Sequence, residues 1–359
     1  MTLLASDAFA ELRGALLTAE MVTTERLSSL RADGYGAVIL VVSKGDGAEN
    51  NAARAIEESG LELHYWIEVG RSPELADEHP LWMASLQGHD KWRRLYKDFP
   101  QPKSDETIKV YPWVPVFYRE AFDAHLARIE KLLAGLPPAK AIYLNDLQGA
   151  PSACGCGNPV CRWTTDYGPI VTATKLGDDA AAKFVAEVRK RVPKETKVVP
   201  VWVTECEAHD KDNDKLCAGV GCYEGICWKA YVRQLTPLAA DSDTLGALLL
   251  YKEFGQDVPN YKARAGWIGH AIEHGFADQP AKQKSPAIKP SRIVAVLQGW
   301  DVTDAEIAAQ LEQATGAGAG GTIVAFARID QAWSPKTVTH KPEAQAKESS
   351  TAEPTLPHR

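Results

Sequence analysis

Residues 141–161 read Ala-Ile-Tyr-Leu-Asn-Asp-Leu-Gln-Gly-Ala-Pro-Ser-Ala-Cys-Gly-Cys-Gly-Asn-Pro-Val-Cys. The apolar run Ala141 to Leu144 has the length of a strand buried on both faces, and Asn145 and Asp146 stand at its C-terminal end. A Gly/Pro-rich loop follows and carries Cys154, Cys156 and Cys161. In parallel α/β folds, ligands and chemistry collect at the C-terminal ends of strands. The stretch therefore sets an expectation for the fold and a place to search for a site.

The same rhythm extends in both directions. Upstream, Arg13 to Thr18 and Leu61 to Val69 read as strands, and Gly36 to Ser43 is a continuous β-branched run. The intervening stretches 23–33 and 48–59 carry helical spacing and cap signals. Downstream, helical patterns at 119–135, 178–192, 228–240, 261–274 and 303–315 alternate with the runs Lys197 to Thr204, Leu245 to Tyr251, Arg292 to Leu297 and Gly321 to Ala327. Eight strands alternating with helices predict a (β/α)8 barrel, a TIM barrel. The count uses 13–18 as the first strand; Lys109 to Val114 is the substitute, with Pro112 against it. The predicted organisation is one barrel domain over 1–334, an aromatic-rich excursion at 71–117, and a disordered tail at 335–359 that is rich in Lys, Glu, Ser, Thr and Pro.

Composition narrows the function classes. With 45% hydrophobic and 24% charged residues, the chain has the balance of a soluble globular protein. A net charge of −7 argues against a general nucleic-acid partner, which requires clustered cations. No apolar run is long enough for a membrane span. The N-terminus lacks a secretory leader, so the sequence as given reads as cytoplasmic; seven cysteines in two tight groups suit a periplasmic or secreted protein whose leader has been removed. No strand is followed by Gly-x-Gly-x-x-Gly or a Walker-type lysine, so no nucleotide cofactor is expected.

Acids end six of the strands: Glu68, Asp146, Glu205, Glu253, Asp301 and Asp330. A barrel would bring these ends to one mouth, where each acid either acts or pairs with a neighbour such as Lys252 or Arg328. Trp66, Trp202, Tyr251 and Trp300 fall at the same ends, where their rings either stack on a ligand or fill the core. Clustered aromatics favour a carbohydrate over a small anion. Cys154, Cys156 and Cys161 with Cys206 have the thiolates for a closed structural zinc site, and disulfides involving Cys217, Cys222 and Cys227 are the alternative.

On these residues the chain resembles glycoside-hydrolase-like (β/α)8 barrels. Arg13-Gly-Ala-Leu-Leu-Thr resembles their first strand and Ala141-Ile-Tyr-Leu-Asn-Asp their fourth. The Cys-x-Cys-x4-Cys run is similar to the zinc loop of some barrel β-galactosidases. The resemblance implies a carbohydrate substrate and carboxylate acid/base chemistry; of the acids that end the strands, Asp146 is the candidate acid and Glu205 or Glu253 its partner. From their places at the strand ends, Glu68, Trp66, Asn145, Trp202, Tyr251, Trp300 and Asp301 are the candidate substrate contacts. The sequence departs from the retaining pattern at two points. The fourth strand ends in Asn145-Asp146 rather than Asn-Glu, and the seventh carries Gln298 where a nucleophilic Glu stands. A non-catalytic carbohydrate-binding or scaffold barrel is therefore the second reading, and a hydrolase with a catalytic zinc the third.

Overall fold

The computed structural model describes residues 12–79, 119–147, 175–203, 242–250 and 287–328, with short pieces at 85–86, 107–109, 114, 116, 163–165, 168–169, 252, 268–269, 271–273 and 336–338. Eight strands form a closed barrel: β1 (Leu12–Leu17), β2 (Ala37–Val41), β3 (Glu62–Glu68), β4 (Ala141–Asn145), β5 (Lys197–Val203), β6 (Leu245–Leu249), β7 (Ile293–Gln298) and β8 (Gly321–Ala325). Neighbours pair in parallel, and β8 closes onto β1 through Gly321↔Leu12 and Ala325↔Leu16. The predicted (β/α)8 barrel is the observed fold, with its first strand at β1.

The helices that can be placed between strands are α1 (Thr24–Ala32), α2 (Gly47–Glu58), α3 (Pro73–Glu78), α4 (Arg119–Leu133), α5 (Lys175–Arg189) and α6 (Asp304–Gly316). Their starts follow the local sequence. Thr23 and Asp46 accept from the first turns of α1 and α2, and Thr303 forms a reciprocal capping box with Glu306. The loop from β2 into α2 is closed by Glu49. Its buried carboxylate accepts from the amides of Ser43 at 2.8 Å, Lys44 at 3.2 Å and Gly45 at 2.7 Å, and from the Ser43 hydroxyl at 3.1 Å.

Strand alternation sorts side chains into two sets, one facing the barrel axis and one facing the helices. Trp66 pairs with Val41 and Tyr143; carried from strand to strand, the register puts Ile39, Val199, Gly246, Val294 and Ile323 on the same axial side. Tyr65 and Ile142 belong to the opposite set. They line a cavity of about 370 Å³ with Ile129 and Leu133 of α4, on the helix side. The axial set is close-packed and includes a stack in which Tyr143 lies 5.9 Å from His64 and 6.2 Å from Trp66, nearly parallel to both.

A second sheet runs antiparallel in the order Lys336–Val338, Thr107–Lys109, Ser85–Leu86, Trp163–Thr165, Gly168–Pro169. Two of these strands and α3 come from the excursion. Three residues of the segment expected to be a disordered tail, Lys336–Val338, are thus an edge strand. No helix among the described residues is long and apolar enough to cross a membrane.

Candidate functional site at the ends of β3 and β4

The register sets Glu68 opposite Asn145 at the C-terminal ends of β3 and β4, on the axial side. Asn145 Nδ2 donates to the Glu68 carboxylate at 2.9 and 3.2 Å, and Trp66 Nε1 donates to its Oε1 at 2.8 Å. Trp66 is fully buried with one face on Tyr143, so the aromatic stack forms a floor and its indole N–H points up at the acid. Pairing continues past the strands: Val69 N–H donates to the Asn145 carbonyl and Gly70 N–H to the Asp146 carbonyl.

Burial raises the Glu68 carboxyl above the ordinary carboxylate range. The positive charges of Arg71 and Arg128 and the two donated hydrogen bonds work against that shift without cancelling it. A carboxyl with this balance keeps its proton to higher pH than a solvated one, which is the requirement for a general acid. Asp146, next in sequence to Asn145, is partly buried and has φ of 59°. Left-handed backbone is uncommon outside glycine, and the described chain has one other case, Asp301 at 53°, just beyond β7. Both lie just past C-terminal strand ends, and Asp is among the residues that adopt this backbone most readily after glycine.

Sequence reasoning brought Trp66, Glu68, Asn145 and Asp146 to one place, and the structure joins the first three by hydrogen bonds. Trp66 is a buried donor to Glu68 and presents no open face for stacking. Trp202 pairs in register with Ala247 and belongs to the helix-facing set, away from the axis. Trp300 is 8% exposed, and its carbonyl accepts from Gln298 Nε2 at 3.1 Å. Asp301 is exposed, 3.5 Å from Arg328, and its carbonyl accepts from Lys252. Gln298 is fully buried, and its backbone is pinned on both sides by the Gln310 side chain of α6. Glu205, Tyr251, Glu253 and Asp330 lie outside the described residues, as do all seven cysteines. Among the described residues no group of three or more His, Cys, Asp or Glu is arranged to hold a metal ion.

Two residues at the site escaped sequence reasoning. Arg128 Nη2 donates to the carbonyls of Glu68 and Val69, and His125 Nε2 donates to that of Val114. Ala121, His125, Arg128 and Leu132 recur at the spacing of one helix face. Two polar residues on an otherwise apolar stripe were the available signal.

No protein-family model matches the chain, and neither does any curated protein. Among solved structures it is similar to a GH18 chitinase from Pseudoalteromonas aurantia, at 11% identity and a TM-score of 0.43, over 88% of this chain and 93% of that one. It is similar to beta-glucosidase 1317 at 10% identity and a TM-score of 0.47, over 86% and 77% of the two chains. A beta-galactosidase from the psychrophilic Marinomonas ef1 matches at 10% identity and a TM-score of 0.47, over 88% of this chain and 54% of that one. The barrel assignment itself rests on the strand order and register above.

Proposed function

We propose that the chain is a carbohydrate-active barrel that cleaves a glycosidic bond at its C-terminal mouth, with Glu68 as the proton donor. One observation carries this reading. The Glu68 carboxyl ends β3 between an indole donor and an amide donor, in surroundings dry enough to favour its neutral form. Burial raises the Glu68 carboxyl, and a carboxylic acid that holds its proton to higher pH can deliver it to a leaving oxygen.

Glycoside hydrolysis requires a second carboxylate, as nucleophile or as the base that activates water. Asp146 takes that role in this reading, with Glu205 and Glu253 as the alternatives at the following strand ends. The acid in this reading thus moves from Asp146 to Glu68, which pairs with Asn145 across the β3–β4 ladder. In the same reading Cys154, Cys156, Cys161 and Cys206 brace the rim, through zinc or through disulfides that draw on Cys217, Cys222 and Cys227. Metal content and a free-thiol count after reducing purification tell these apart. The burial of Gln298 in structural hydrogen bonds favours the second reading, a barrel that binds a glycan without cleaving it.

The test incubates the wild type, Glu68→Gln and Asp146→Asn with a panel of α- and β-linked oligosaccharides and counts new reducing ends. Wild-type turnover that falls by about 100-fold or more in Glu68→Gln, with circular dichroism unchanged, supports the donor role. Equal turnover in Glu68→Gln rejects it. Glycan binding by the wild type without turnover supports the binding barrel.

A further inference from the structure

The α4 helix grips the point where β3 leaves the barrel. His125 Nε2 donates to the Val114 carbonyl at 2.7 Å, and Val114 N–H donates in turn to the Gly70 carbonyl at 2.8 Å. Three residues further along α4, Arg128 Nη2 donates to the carbonyl of Glu68 at 2.5 Å and to that of Val69 at 3.3 Å. Three consecutive carbonyls at the strand exit are therefore held from the helix side, directly or through Val114.

The chemistry suits a fixed brace. A guanidinium is a rigid planar fork, so one nitrogen spanning two successive carbonyls restrains both peptide planes. Burial lowers Arg128 to about 10, which leaves it charged at neutral pH. Its Nε is buried and has no hydrogen-bond partner among the described residues, an expensive arrangement for a residue that merely fills space. His125 adds no charge, because burial and the adjacent Arg128 push it down to about 3.

The geometry points to Arg128 as a positioning residue for Glu68: by spanning the Glu68 and Val69 carbonyls it fixes the backbone from which the Glu68 carboxyl projects. The inference rests on Glu68 being the group that acts at the mouth. Among the described residues, the charged groups that act on that carboxyl are Arg71 from the exit of its own strand and Arg128 from α4. Arg128 also lowers the carboxyl through space, so its loss should be readable as a titration.

The full chain is labelled with glutamate carrying carbon-13 at the side-chain carboxyl, and the Glu68 resonance is assigned by its absence in Glu68→Gln. In folded Arg128→Met the Glu68 midpoint should move up, with the other glutamates unmoved. In Arg128→Lys, which keeps the charge and loses the fork, the midpoint should stay near wild type, while exchange of the Val69 and Gly70 amide protons quickens by about tenfold. On any glycan that the wild type cleaves, Arg128→Lys should lose about tenfold or more in kcat with KM kept. An unmoved midpoint in Arg128→Met overturns the inference, as does unchanged exchange in Arg128→Lys. If Arg128→Met does not fold, the exchange result in Arg128→Lys decides. A wild type that cleaves nothing, with the midpoint and exchange shifts intact, removes the hydrolase reading and leaves the positioning role standing.

Discussion

Replacing Glu49 by Ala removes the carboxylate that closes the loop from β2 into α2. Two of its contacts are short backbone bonds, from Ser43 at 2.8 Å and Gly45 at 2.7 Å; the Lys44 amide is shared between the two oxygens at 3.2 Å. Hydrogen bonds to a charged group contribute about 1.5–3 kcal/mol each. Ser43 and Lys44 are exposed, so water recovers part of each loss, and about 1 kcal/mol per short bond remains. Ala is the better helix former by a few tenths of a kcal/mol, a small offset. The expected loss is about 2 kcal/mol for Glu49→Ala and about half that for Glu49→Gln, which keeps one acceptor oxygen. Urea unfolding followed by tryptophan fluorescence measures both. A loss below about 0.5 kcal/mol in Glu49→Ala, or a larger loss in Glu49→Gln than in Glu49→Ala, refutes the reasoning.

Trp66→Phe deletes the indole donor at 2.8 Å from Glu68 while keeping an aromatic ring against Tyr143. Losing one hydrogen bond to the ionised form should raise the Glu68 midpoint, read by carboxyl carbon-13 titration; a fall would contradict the assigned donor. Glu68→Gln should change stability in a pH-dependent way. The folded-state midpoint is raised above the unfolded one, so the wild type is best stabilised below the unfolded midpoint and loses that stabilisation as pH rises through the folded one. The thermal midpoint of Glu68→Gln relative to wild type should therefore be more favourable at pH 8 than at pH 4. A difference that stays constant, or that turns less favourable to Glu68→Gln as pH rises, would count against a desolvated Glu68.

Much of the barrel was legible because both-face burial leaves continuous β-branched runs, such as Ala37–Val41 and Ile293–Gln298, that read as strands without any partner in view. The proximity of Glu68 and Asn145 was legible for the same reason, since both end neighbouring strands. Roles were harder to read. Trp66 and Trp202 both sit near strand ends, yet parity turns one to the axis and the other to the helices. That parity needs the register from strand to strand, which no single run contains. The raised carboxyl of Glu68 is a sum over neighbours from β3, β4 and α4, so nothing local to residues 66–68 announces it. Arg128 was missed because a cation on a helix is ordinarily solvated, and only the packed barrel shows its Nη2 turned onto carbonyls.

The central claim is that the mouth holds a carboxyl poised to give up a proton, and the titration midpoint of Glu68 in the wild-type protein tests it most directly. The account predicts a midpoint above the ordinary glutamate value of about 4.3, coinciding with the pH at which glycan cleavage declines on the alkaline side. A midpoint at or below about 4.3 would contradict it.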